Sequence, residues 1–261
     1  MLAHNGRAWD AQARDGSSPW VQPADPAAIA AARSGDWQII LTPCKSVPRT
    51  WFAGALDGRD VLCLASGGGQ QAPILAAAGA RVTSFDYSTA QLELDAQVAA
   101  REALALRTIQ GDMADLSVFA DGSFDLIVHP VSNVFSRQVR PVWRECSRVL
   151  RPGGRLLSGF MNPDYYLFDH AAIESGGPLE VSYALPYSDE RDLPPERRAQ
   201  MLAEEEAFEF SHSLDEQIGG QLDAGLVLRG FYEDRWSDDA TPLNRYLPTS
   251  MATLAEKPAA G

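Results

Sequence analysis

Basic charge is scarce in this chain. Lys and Arg number 22 against 35 Asp and Glu, a formal net charge of −13. No run of five or more basic residues occurs, which argues against the clustered positive surface that nucleic-acid backbones require. Cysteine is rarer still. Cys44, Cys63 and Cys146 are odd in number and far apart, so neither a disulfide framework nor a thiolate zinc site is expected, and a reducing, cytoplasmic setting is. No apolar stretch reaches the roughly eighteen residues of a membrane span, and the opening MLAHNGRAWDAQARDG has no apolar leader region. The histidines, His4, His129, His170 and His212, have no metal-ligand spacing, and no metal is expected. Apolar material, by contrast, is ample. At 261 residues and 45% hydrophobic, the chain can fill one large α/β core.

The stretch around which the rest is organised is Asp60 to Asp86, DVLCLASGGGQQAPILAAAGARVTSFD. Val61 to Ala65 is an apolar run too short for a helix, and it predicts a buried strand. Gly67, Gly68 and Gly69 follow. A helix over 70–78 comes next, with Ile74, Leu75 and Ala78 on one side and Gly79 at its end. Arg81 to Phe85 is the second strand, and Asp86 stands at its carboxyl end. There, glycines let the backbone approach a ligand and an acid can accept ribose hydroxyls. The stretch predicts a nucleoside-containing cofactor. Gly67-x-Gly69-x-x-Ala72 also satisfies a relaxed dinucleotide fingerprint, so a nicotinamide enzyme and an S-adenosylmethionine enzyme both fit it.

Residues 1–25 are polar and broken by Gly and Pro, yet carry Trp9 and Trp20, which predicts an arm docked on the body, or a lid. Residues 26–33 read as a short helix and 36–52 as extended chain. After Asp86, a helix capped by Ser88 runs to about Arg101. Strands follow at 106–110 and at Phe124–Val128, the latter stopped by His129-Pro130. A helix at 138–149, the turn Arg151-Pro152-Gly153-Gly154 and a strand at Arg155–Met161 complete a βαβ series. Residues 162–210 break the rhythm with an aromatic stretch, a strand at LEVSYALP and a helix around 195–205. A helix opened by Ser213 and strands at Leu226–Tyr232 and 249–257 close the chain. The expected fold is α/β, a Rossmann-like seven-stranded, mostly parallel sheet with an antiparallel last strand and helices on both faces. Its expected division is an arm at 1–56, a main domain at 57–257 carrying an insertion at about 162–210, and a frayed tail at 258–261.

Gly111-Asp112-Met113, at the end of the third strand, helps decide between the cofactors: an acid there can accept the adenine amino group while the next N–H donates to a ring nitrogen. With VLCLASGGG, VTSFD, GDMADL, FDLIVHP and RVLRPGGRLL in this order, the chain resembles the class I S-adenosylmethionine-dependent methyltransferases, strongly over 57–161 and loosely over 207–257. CLASGGGQQ, GDMADLSVF, HPVSN and FSHSLDEQIGGQL resemble, more narrowly, a bacterial branch of small methyltransferases. The resemblance implies S-adenosyl-L-methionine as cofactor. It puts Ala65, Ser66, Gly67, Gly69 and Gln70 on the methionine and ribose side, and Asp86 on both ribose hydroxyls with Tyr87 beside the adenine. Gly111, Asp112 and Met113 then fall at the adenine edge, and His129 faces the sulfonium and the acceptor. Two letters depart from the family pattern: Cys63 stands where an acid is usual, and Ala65 replaces the first glycine. A buried cysteine is a small hydrophobe, so Ser66, Gln70 or backbone groups are expected to take over the acid's part.

Methyl transfer asks a protein mainly to align two groups and exclude water, with a base only where the nucleophile must lose a proton. His129 is the candidate base, because histidine titrates near neutrality, and Asn133 and Ser132 are candidates to orient the acceptor. The alternative is that His129-Pro130 only ends a strand and Asn133 caps a turn. Tyr165, Tyr166, Phe168, Tyr183 and Tyr187 either wall an acceptor pocket or form the insertion's own core. The acidic balance favours a small-molecule acceptor methylated at O, N or S, with neither nucleic acid nor membrane as partner. The rival readings are a methyltransferase acting on RNA or protein and a cofactor-binding regulator without turnover. Oligomeric state leaves no trace in the sequence.

Overall fold

The first strand, β1 (Asp60–Leu64), sets the layering. Val61 and Cys63 belong to one buried cluster and Leu62 and Leu64 to another. A strand whose alternate residues are all buried needs cover on both faces, the condition of a central parallel strand. In the computed structural model, which describes residues 1–16, 18–237 and 239–259, that cover is provided by helices and by the chain leading into β1. The other strands are β2 (Arg81–Asp86), β3 (Leu106–Gln110), β4 (Phe124–His129), β5 (Leu150–Met161), β6 (Val227–Asp234) and β7 (Ser250–Glu256). Their order is β3-β2-β1-β4-β5-β7-β6. Neighbours among β1–β5 pair parallel, and β7 runs antiparallel to both β5 and β6. This is the Rossmann-like, seven-stranded α/β sheet expected. Strand order reverses between β1 and β4, so their carboxyl ends form the crevice in which such sheets bind ligands.

Three helices frame that crevice: α1 (Leu2–Asp15), α3 (Gln71–Ala77) and α4 (Thr89–Glu102), α2 being the short Pro26–Arg33. Helix α5 (Arg140–Val149) turns Val142, Trp143, Cys146 and Val149 onto the Leu62 and Leu64 face. The opposite face takes Leu75 of α3 together with Ile39, Leu41, Val47, Trp51, Phe52 and Leu56. Packing is therefore continuous across the expected boundary at residue 56. Among the described residues no helix is long and apolar enough to cross a membrane.

Gly159 of β5 lets the leading segment lie flat on the sheet. A Cβ there would stand 2.1 Å from the Leu41 carbonyl oxygen, which accepts the Val131 N–H at 2.9 Å. Backbone cannot swing aside as a side chain can. Gly159→Ala is expected to cost about 3 kcal/mol, at the upper end of overpacking penalties, and urea unfolding would measure it. A loss below about 0.5 kcal/mol would show that the segment is free to lift.

Several expectations need correction. The N-terminal arm is mostly helix, because α1 packs along α4 rather than standing alone. The strand expected at LEVSYALP does not form: Val181 makes one isolated bridge to Phe168 and the stretch is largely exposed. With no neighbouring strand to accept its ladder, β propensity cannot act. The Arg151–Gly154 turn lies inside β5, whose pairing with β4 is irregular there, with Gly153 at φ 78° and its N–H on the Lys257 carbonyl. Ser213 does cap its helix, in a reciprocal box with Glu216, but the first turn, Asp215–Gly219, is π-wound. The tail expected at 258–261 lies partly outside the described residues.

Candidate functional site

A cavity of about 610 Å³ opens over the carboxyl ends of β1 to β5. One wall is the turn after β1. Ala65 sits at φ 47°, left-handed backbone that glycine adopts without strain. That conformation accounts for a glycine at this place in the related motif. The turn is held by acceptors on the elements that follow. The Gly67 N–H donates to Asp86 Oδ2 at 3.0 Å, Gly68 N–H to the Gln91 carbonyl at 3.0 Å and Gly69 N–H to Asp95 Oδ1 at 2.8 Å.

The glycines have a second reason. A Cβ on Gly68 would meet the Trp20 carbonyl oxygen at 2.6 Å, and one on Gly69 would meet Pro23 at 2.9 Å. The chain's own segment 19–24 is strapped over the turn. Ala24 N–H donates to the Gly69 carbonyl at 2.7 Å, and Gln70 Nε2 donates to the Pro19 and Gln22 carbonyls. Gln70 thus fastens the strap, although it also lines the cavity. Gly69 lies behind the lining.

Asp86, at the end of β2, accepts Gly67 N–H on one oxygen and Ser88 N–H on the other, at 3.0 and 2.9 Å. Burial raises its pKa above the ordinary carboxylate value, and the backbone donors pull against that. A carboxylate has about four acceptor sites, so capacity remains for a ligand. Helix α1 forms the roof. Asp10 accepts the Ser88 hydroxyl at 2.6 Å and the Ala90 N–H at 3.0 Å, at the start of α4 where the helix dipole favours an anion. Gly6 lies on the Tyr87 ring, so close that a Cβ would stand 2.6 Å from Cδ1. Trp9 meets Phe135 edge to face, and Trp20 meets Trp236 likewise. All three tryptophans line the cavity.

The structure brings Ala65, Ser66, Gly67, Gln70, Asp86, Tyr87, Gly111, Asp112 and Met113 to one cavity wall. Gly111 rests on the Phe85 ring, which a Cβ would meet at 2.1 Å. Asp112 Oδ1 takes the Ala114 N–H at 2.9 Å.

His129 and Asn133 are not on that wall, which corrects the roles expected of them. His129 is 0% exposed. Its Nδ1 donates to the Leu64 carbonyl at 2.9 Å, since a carbonyl can only accept. Its Nε2 has no partner among the described residues, and burial lowers its pKa to about 4. A sealed, neutral imidazole is badly placed to take a proton from an acceptor. Asn133, also 0% exposed, exchanges two hydrogen bonds with Gln217, and His212 Nε2 donates to the Asn133 and Ser136 carbonyls. These groups fix the Asp215–Gly219 turn under the site. Ser132 does line the cavity, its hydroxyl on the Pro130 carbonyl.

Two residues of the site do not stand out in the sequence. Asp95 is fully buried on α4, its Oδ2 taking the Ser84 hydroxyl at 2.6 Å while Oδ1 holds Gly69. It lies near enough to Cys63 that its charge adds to the effect of burial in pushing the thiol far up. The acid absent at position 63 is therefore matched by one approaching from the helix. Its signal in the sequence is an aspartate on the apolar side of a helix, spaced with Leu92 and Val98. Glu209, in the insertion, also lines the cavity.

Comparison with known proteins agrees with this architecture. Residues 62–158 match a methyltransferase domain model. The chain is 48% identical over 257 residues to the uncharacterized methyltransferase YbaJ of Bacillus subtilis, covering 98% of each. An S-adenosylmethionine-dependent methyltransferase from Mesorhizobium loti shares the fold at TM-score 0.58 and 18% identity, over 78% of this chain and 94% of that one. So does the 1,6-didemethyltoxoflavin-N1-methyltransferase of Burkholderia thailandensis, solved with 1,6-didemethyltoxoflavin and S-adenosylhomocysteine bound, at TM-score 0.56 and 14% identity over 98% of this chain and 88% of that one. End-to-end similarity to the Bacillus protein, on a sheet of this order with a glycine turn and an acid at its switch point, identifies the chain as a member of the class I S-adenosylmethionine-dependent methyltransferases.

Proposed function

We propose that the cavity binds S-adenosylmethionine along the Ser66–Asp86–Asp112 wall and a small-molecule methyl acceptor beside it, under the roof made by α1. The observation that carries this reading is the polar character of that one wall. Ser66 Oγ and Gln91 Oε1 are buried there without partners among the described residues, and Asp86 keeps acceptor capacity beyond its backbone donors. Such groups need a polar ligand to satisfy them. When bound, the cofactor supplies a methyl group already activated on a sulfonium.

The protein's own part is alignment and dryness. Asp86 would accept the ribose hydroxyls, Ser66 and Gln91 would meet the polar methionine and ribose atoms, and Asp112 with the Met113 N–H would hold the adenine edge. The α1 roof, pinned by Asp10 and by Asn5 to Phe208, excludes water from the reacting groups. An acceptor that must fit beneath a helix is a small molecule rather than a folded macromolecule, and the cofactor-facing wall adds no basic group for a phosphate backbone.

Calorimetric titration with S-adenosylhomocysteine and with NADH tests the cofactor. Binding of the former in the micromolar range, about −8 kcal/mol, with none of the latter is expected. Binding of NADH alone would overturn the reading.

A further inference from the structure

The carboxyl ends of β4 and β5 lie across β1 from those of β2 and β3. The cavity continues over them, walled by Trp9, Val134, Phe135, Met161 and Tyr165. The insertion segment brings carboxylates to this half, Glu204, Glu205, Glu206 and Glu209, and among them Glu209 is the one fixed by a buried phenol. We propose that this half takes the methyl acceptor as a cationic amine, its ammonium group held at Glu209 Oε1 against the aromatic rings. The proposal rests on the methyltransferase site described above.

Glu209 is held from both sides. Phe208 N–H donates to Asn5 Oδ1 at 2.9 Å and Asn5 Nδ2 to the Phe208 carbonyl at 2.8 Å, tying the segment to α1. Phe210 N–H donates to the Val134 carbonyl at 2.7 Å, tying it to the loop after β4. The Glu209 N–H itself goes to Asp189 Oδ2 at 2.7 Å. The side chain is oriented by Tyr166, whose hydroxyl donates to Oε2 at 2.6 Å. Oε1 takes no hydrogen bond from any described residue. Two chain segments and a buried phenol thus fix this carboxylate beside the aromatic and aliphatic lining.

Its charge has no counterpart among the described residues. Among the described residues Glu209 forms no ion pair, whereas its neighbours do: Glu205 faces Arg7 at 3.8 Å and Glu206 pairs with Arg197. Among the described residues no lysine, arginine or histidine lines the cavity. Burial raises the Glu209 carboxyl to about 7, against the pull of the Tyr166 bond, and the neighbouring charge of Asp189 adds to it. A carboxylate kept half-dry and uncompensated is satisfied by an incoming cation. Trp9, Phe135 and Tyr165 line the same half, and an aromatic ring whose face is open to a cation attracts it through the ring quadrupole. An anionic acceptor would meet the carboxylate and the rings unfavourably at once.

The test uses three probes with one ring and different heads: phenethylamine, 2-phenylethanol and 3-phenylpropionate. Each is titrated into the protein saturated with S-adenosylhomocysteine, with tryptophan fluorescence as the readout because Trp9 and Trp20 line the cavity. The amine is expected to bind about tenfold or more tighter than the alcohol, with the carboxylate weakest. Glu209→Gln, which still accepts from Tyr166, should lower amine affinity about tenfold and leave the alcohol unchanged. Glu209→Asp should keep the preference for the amine. Equal affinities for the three heads, no binding of the amine up to about 10 mM, or an amine affinity untouched in Glu209→Gln would overturn the proposal. The saturation step separates the two readings. Failure of S-adenosylhomocysteine to bind sinks the cofactor site and this proposal with it, whereas its binding with unselective probes sinks this proposal alone.

Discussion

Replacing Asp86 by alanine is expected to weaken S-adenosylhomocysteine binding about 100-fold or more while the protein stays folded. Two hydroxyl donors bound to one carboxylate contribute about 1.5–3 kcal/mol each, and losing both is a loss of at least about 3 kcal/mol. The carboxylate also holds the turn, through Gly67 and Ser88, so the variant should bind a distorted site even less well. Stability changes less. The buried carboxylate is costly enough that its pKa is raised, and removing it offsets part of what the freed N–H groups lose. Calorimetry for affinity and thermal unfolding for integrity separate the two effects. An Asp86→Ala protein that melts normally and binds S-adenosylhomocysteine as tightly as the parent would show that the ligand lies elsewhere. Asp86→Asn should also fall short, since its amide nitrogen cannot accept from a backbone N–H. Because Asp86 must be charged to accept two hydroxyls, affinity should fade on acidification at a higher pH than an ordinary carboxylate would dictate.

The second large effect is predicted at Asp95. Asp95→Ala leaves the Gly69 N–H and the Ser84 hydroxyl without partners in a dry space. Each unpaired buried donor costs about 1–3 kcal/mol, so a loss of about 3 kcal/mol is expected in urea unfolding, accompanied by weaker cofactor binding as the turn relaxes. Asp95→Asn keeps the shape: its Oδ1 can accept from Gly69 and its Nδ2 can donate to the Ser84 oxygen. This variant isolates the charge. Burial raises the Asp95 carboxyl to about 7, Ser84 and Gly69 pull it down, and the charge of Asp86 adds to the rise.

The sign of the pH effect follows. Between the unfolded value of 3.8 and about 7 the native protein holds a proton that the unfolded chain has released. The contribution is therefore fully present below about pH 4 and is lost as pH rises through about 7, at about 1.4 kcal/mol for each pH unit between the two values. Asparagine carries no such proton. Stability of the parent relative to Asp95→Asn should fall by several kcal/mol from pH 4 to pH 8. Parallel pH profiles for the two proteins would mean that Asp95 does not titrate in this window and that its carboxylate is better solvated than its position implies.

Much of the fold could be read from local pattern. β1 alternated apolar residues over two buried faces, Gly79 and Ser88 marked where α3 ends and α4 begins, and Pro130 ended β4. These signals are short-range: a cap or a glycine acts within one turn, and a strand's period of two is visible in five residues. Reading failed where a long-range partner decided the outcome. LEVSYALP has the composition of a strand and no neighbour to pair with, whereas the N-terminal arm looked irregular until α4 and Tyr87 gave it a surface.

The sequence by itself determined the sheet, the glycine turn and the acids at Asp86 and Asp112, since each follows from a motif contiguous in the chain. Only the tertiary structure decided which groups reach the cavity. It withdrew His129 and Asn133 behind the lining, because a residue at a strand's end points either into the crevice or into the core, and sequence spacing does not distinguish the two. It spent Gly68 and Gly69 on the chain's own Trp20 and Pro23. It also answered the missing acid at Cys63 with Asp95, more than thirty residues further along the chain, and brought Glu209 to the same cavity as Asp86. Those are contacts between distant segments. The physical reason they escape the sequence is that burial and hydrogen-bond partnership are properties of packed neighbours, fixed only when the elements have docked.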